Sequence, residues 1–123
     1  MGEVSETDKA ADKAARLAEQ QALAAKQAAD LLARRARKAS IVRRLVADGA
    51  GLDAAVMYAD LFLEYAEASD NIERHGVIVQ HPRTMNPIEN PYLSRRDKSR
   101  AELLRLRVSA DWLWSASEGA AGG

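Results

Sequence analysis

The sequence predicts a mainly α-helical protein: a helical hairpin or bundle with one short β-hairpin or extended arm between its last two helices, assembling as a homo-oligomer. Three observations lead there. Residues 6–38 contain neither Gly nor Pro and are rich in Ala, the strongest helix former. Residues 54–75 carry a continuous apolar stripe at helical spacing. Hydrophobic residues make up 47% of the 123, yet aromatics are only 5%, so the core is thin and a second copy is expected to cover part of the apolar surface.

The organisation follows the same signals. Residues 1–40 read as an Ala-rich, exposed and partly frayed helix, residues 41–114 as the helical oligomerisation core, and residues 115–123, rich in small residues, as a disordered tail. In the first stretch Leu17, Ala24, Leu31, Lys38 and Leu45 fall seven apart, a faint heptad whose partner positions are mostly Ala or Gln. The helix continues through Ile41, Val42, Leu45 and Val46 and stops at DGAG, where Gly49 and Gly51 suit a turn. Asp53 is the expected N-cap of the next helix. That helix places Tyr58, Leu61, Tyr65, Ala68 and Ile72 on one stripe, widened by Phe62, with Asp60, Glu64, Glu67 and Asp70 on another side. Gly76 ends it.

Residues 77–90 are predicted as the arm: three β-branched residues, Val77, Ile78 and Val79, then a turn with Pro82 at its second position. Two Asn-Pro steps follow. Asn86 and Asn90, each preceding a proline, are biased to extended backbone, which fixes where the last helix starts. Pro91 or Ser94 serves that start, and Leu103, Leu104, Leu106, Val108 and Leu113 form the apolar side of a helix running to about Trp114. Trp112 and Trp114 are expected at an interface, together with Tyr58, Leu61, Phe62, Tyr65, Ile72, Leu103 and Leu106.

Charge is balanced overall and segregated locally. Residues 34–44 carry Arg34, Arg35, Arg37, Lys38, Arg43 and Arg44 with no acid, a local charge of +6, whereas residues 45–94 sum to −6 and residues 95–107 to +4. The first basic stretch is the candidate DNA contact, reaching backbone phosphates without reading bases. The bland alternative is a solvated helix end pairing with the acidic helix. The second cluster, Arg95, Arg96, Lys98, Arg100, Arg105 and Arg107, alternates with Asp97 and Glu102, which points to ion pairing.

Catalytic chemistry has little to stand on. There is no cysteine, His75 and His81 lie outside any metal-ligand spacing, and ADGAGLD follows a helix and lacks the lysine of a phosphate loop. A non-enzyme with no cofactor and no metal is expected. No apolar run approaches the ~20 residues needed to cross a bilayer, so no membrane partner is expected.

One stretch resembles a known family. GLDAAVMYADLFLEYAEASDNIERHGVIVQHPRTMNPIENPYLSRRDKSRAELLRL is similar to the small subunit of phage terminase, in the branch where a helix with a mid-helix Tyr leads to a GVIV strand, a turn, an Asn-Pro step and a closing helix. Gly51-Leu52-Asp53, Tyr58, Tyr65, His75-Gly76-Val77, the HPRT turn, Asn90-Pro91 and the Leu103–Leu106 stripe carry the match, over about residues 40–108. The resemblance implies a ring-forming homo-oligomer in the host cell cytoplasm. It would bind double-stranded viral DNA and deliver it to the large terminase subunit, which carries the ATPase and nuclease. It also implies that Asn90-Pro91 is the structural joint. The rival readings are a protein–protein adaptor without DNA affinity and, less well supported, a small transcription regulator.

Overall fold

The computed structural model describes residues 5–115. It is mainly helical, with one small antiparallel sheet, in the order α1 (Glu6–Ala47), α2 (Leu52–His75), β1 (Ile78–Gln80), β2 (Pro87–Glu89) and α3 (Tyr92–Leu106). Two units divide the chain, Met1–Arg37 and Lys38–Gly123, so the boundary falls inside α1, three residues before the one the sequence suggests. The first four residues and most of the expected tail, 116–123, lie outside the described residues, and Ser115 is helical.

In the first unit α1 opens on Ser5, whose Oγ accepts a hydrogen bond from the Asp8 N–H at 3.1 Å. Glu6 and Asp8 put negative charge in the first turn, where the helix dipole favours it. From there to Arg37 the helix is exposed at every position but the half-buried Arg34, with Leu17, Leu23, Leu31 and Leu32 open to solvent.

The second unit has its own core. The end of α1 supplies Ile41 and Leu45, then closes in a Schellman motif. Ala50 N–H donates to the Leu45 carbonyl at 2.9 Å and Gly49 N–H to the Val46 carbonyl at 3.0 Å. Gly49 occupies a φ of 108° there, which disfavours a side chain. α2 begins two residues earlier than Asp53 would set it. Gly51 is the N-cap, without a side-chain hydrogen bond, and Asp53 instead adds charge to the first turn.

The buried face of α2 is Ala55, Tyr58, Ala59, Phe62, Leu63 and Ala68, so Phe62, wholly buried, is the centre of the stripe and not its margin. Ala55 and Ala59 let neighbouring segments approach closely. Leu103 of α3, Ala110 and Leu113 complete the core.

The arm is a β-hairpin, with Ile78 opposite Glu89, Val79 opposite Ile88 and Gln80 opposite Pro87. Its loop closes through His81 N–H to the Asn86 carbonyl and Met85 N–H to the His81 carbonyl, both 2.9 Å. Met85 takes a φ of 60° to make that closure.

The last helix is shorter than its apolar spacing predicts. α3 stops at Leu106, Arg107 turns into the left-handed region (φ 51°, ψ 36°), and a separate helical turn covers residues 111–115. The reversal folds the C-terminal segment back, so that Ala110 and Leu113 are buried. No helix among the described residues is long and apolar enough to cross a membrane.

Candidate functional site

The Asn90-Pro91 step sits where the hairpin meets α3. Asn90 is 2% exposed, and both polar atoms of its side chain are engaged. Its Nδ2 donates to Asn71 Oδ1 at 3.1 Å and to the Gly76 carbonyl at 2.9 Å, reaching the last turns of α2. Its Oδ1 accepts from the Tyr92 N–H at 3.0 Å, an Asx turn that seats the first residue of α3. The backbone contributes as well: Asn90 N–H donates to the Val77 carbonyl at 2.7 Å, and Leu93 N–H donates to the Asn90 carbonyl at 3.0 Å. Pro91, the helix N-cap with φ −58°, needs no hydrogen-bond partner for its nitrogen. One buried amide thus ties α2, the hairpin and α3 together. The partners Asn71 and Gly76 lie 19 and 14 residues upstream, beyond the reach of any local motif.

The basic residues of 34–44 divide between the two units. In the first, Arg35 is exposed, while Arg34 and Arg37 have interaction partners. In the second, Lys38 falls on the stripe that buries Ile41 and Leu45, and its Nζ pairs with Asp60 Oδ1 at 2.8 Å. Arg44 places its guanidinium 4.1 Å from the centroid of the Trp112 ring, a cation–π contact. Arg43 stays exposed. Lys38 and Arg44 therefore stabilise this unit's own packing, the bland alternative for a helix end beside acidic α2.

The cluster on α3 behaves in the opposite way. Sequence alternation points to ion pairs, but among the described residues α3 forms one, between Arg96 and its neighbour Asp97 at 3.5 Å. Arg95 lies 5.0 Å over the Tyr92 ring. Lys98, Arg100, Arg105 and Arg107 make no ion pair with the described residues. Glu102 is half-buried, and Glu64 of α2 accepts from the buried Ser99 Oγ at 3.4 Å.

The residues expected at an interface are covered within one chain. Tyr58, Phe62 and Leu103 are buried core; Leu61, Tyr65, Leu106, Trp112 and Trp114 are half-buried against it, and Ile72 is half-buried. Trp114 meets Phe62 at 5.0 Å and Tyr65 at 5.2 Å, both edge-to-face. The large apolar side chains that this unit leaves open are others: Val46, Leu52, Met57, Val77, Ile78, Met85 and Leu104.

His75 is exposed in the basic last turn of α2, where a helix-end histidine meets the C-terminal dipole. His81 serves the hairpin loop: its Nδ1 accepts from the N–H groups of Arg83 at 3.1 Å and Thr84 at 3.3 Å. No group of metal-ligating side chains occurs among the described residues.

Compared with known proteins, the chain matches no family model, no curated relative and no solved structure.

Proposed function

We propose that the chain is the small subunit of a phage-type terminase. In this reading it is a non-catalytic homo-oligomeric ring in the host cell cytoplasm that engages double-stranded viral DNA. It recruits and regulates the large subunit, which carries the ATPase and nuclease.

The observation that carries this reading is the Asn90-Pro91 joint. This dipeptide is the most distinctive element of the family resemblance, and Asn90 hydrogen-bonds α2 and α3 at once. A joint of this kind holds the two helices at one angle. A closed ring needs that constancy, because every copy must meet the next through the same geometry. The exposed apolar residues on α2, the hairpin and α3 are the candidate contacts between copies, in place of the buried aromatics.

DNA contact rests on exposed arginines: Arg35 and Arg43 of the first cluster, with Arg34, Arg37 and the α3 row as further candidates. A gel shift on random duplex DNA tests it. Changing Arg34, Arg35, Arg37 and Arg43 together to Ala should weaken retention. It should also flatten the salt dependence by about 0.9 in log–log slope for each phosphate no longer neutralised. Unchanged retention would move the DNA surface to α3.

A second reading, a protein-binding adaptor without DNA affinity, is favoured by the Lys38–Asp60 pair and the Arg44–Trp112 stack, which engage cations inside the fold. Failure of the unmodified protein to shift DNA at about 50 mM salt would select it.

A further inference from the structure

A cavity of about 430 Å³ opens between α2, α3 and the C-terminal turn, within the usual size range for small-ligand sites. Its floor is aromatic: Tyr58, Tyr65 and Trp114, with Leu103 and Val108 beside them. Arg100, Arg107 and Asp111 also line it. We propose that this cavity binds a monoanion carried on an apolar body, a carboxylate joined to an aromatic ring. The proposal stands independently of the packaging reading.

Three features carry it. The floor is fixed in advance, because the Trp114 edge is held against Phe62 and Tyr65 and its Nε1–H donates to the Tyr58 hydroxyl at 2.7 Å. A rigid aromatic floor lowers the ordering cost of an arriving ring. Next, Tyr58 uses its oxygen as an acceptor for Trp114, so its own O–H proton remains to be donated. Among the described residues that proton has no acceptor, although Tyr58 is only 4% exposed. A carboxylate oxygen in the cavity would supply one.

Finally, Arg100 and Arg107, which make no ion pair with the described residues, line the cavity together with Asp111, leaving a formal charge of +1, which matches a carboxylate better than a phosphate dianion. Arg107 is held there by a left-handed backbone (φ 51°) that a glycine would adopt at lower cost. The conformation turns the chain and brings residue 107 to the cavity in a single step.

The test is an NMR titration of the full, isotopically labelled chain with 3-phenylpropionate, reading the Trp114 indole N–H with Trp112 as internal reference. A saturable shift at Trp114 is expected, with a Kd on the order of 1 mM, as befits a ligand of this size. The neutral amide, 3-phenylpropionamide, should bind at least about tenfold more weakly, the difference expected when one charge-assisted hydrogen bond is removed.

Arg107→Gly provides the decisive variant, since it removes the guanidinium while relieving the backbone. It should raise or keep the melting temperature and still weaken binding about tenfold. N-acetyl-Ala-Phe with a free carboxylate distinguishes the natural source. Tighter binding than 3-phenylpropionate assigns a peptide C-terminus, and equal binding assigns a free acid. The proposal is overturned by no saturable Trp114 shift up to about 10 mM, tenfold above the expected Kd. It is equally overturned by amide and acid binding alike, or by an unchanged Kd in Arg107→Gly.

Discussion

The indole Nε1–H of Trp114 donates to the hydroxyl oxygen of Tyr58 at 2.7 Å, closing a contact across 56 residues of sequence. It pins the helical turn at residues 111–115 to the first half of α2, and Phe62 and Tyr65 grip the same indole through edge-to-face contacts. Residues 110–114 are therefore part of the core and not an appendage of α3.

Tyr58→Phe should lower stability by about 1 kcal/mol, the cost of leaving a half-buried indole N–H without its acceptor. Trp114→Ala should cost more, about 2–4 kcal/mol, since it also removes two aromatic contacts and leaves a void. Urea unfolding followed by circular dichroism measures both. Equal midpoints for Tyr58→Phe and the unmodified protein would show that the hydrogen bond contributes nothing.

Asn90→Ala strips three hydrogen bonds from a buried site and leaves the Gly76 carbonyl and the Tyr92 N–H without that partner. A destabilisation of about 2–4 kcal/mol is expected, with faster amide exchange at Tyr92. Asn71→Ala removes only one of those hydrogen bonds and should cost about 1 kcal/mol or less. If the two variants are equally destabilised, Asn90 is not the hub.

Parts of this arrangement are legible in the sequence, and the misses have physical causes. α2 and the hairpin follow from apolar spacing, β-branching and Gly76. The end of α3 does not, because Leu103, Leu106, Ala110 and Leu113 keep helical spacing straight through the break, and neither Gly nor Pro marks Arg107. Asn90-Pro91 is visible as a joint, but its partners Asn71 and Gly76 come from tertiary packing. The first basic stretch also has partners that only tertiary packing supplies. Six cations in eleven residues look like one surface, yet Lys38 shares the stripe of Ile41 and Leu45 and finds Asp60 on another helix.

Removing residues 1–37 should leave residues 38–123 cooperatively folded, because Ile41, Leu45 and every other core side chain among the described residues lie in the second unit. The destabilisation should fall within about 1 kcal/mol, a shift of roughly 4–8 °C in melting temperature at most. Disappearance of a cooperative transition would show that the Ala-rich helix supports the core. The Lys38–Asp60 pair is half-exposed at 31% and 42%, so its own contribution is a few tenths of a kcal/mol, about the value of other surface pairs.

A closed assembly that hands DNA to a motor must first be an assembly. Its molar mass in solution, by light scattering at micromolar concentration, tests that most directly. A single species several times the 13.4 kDa of one chain is predicted, with a mass that stays constant on dilution. A mass of one chain throughout would contradict the ring.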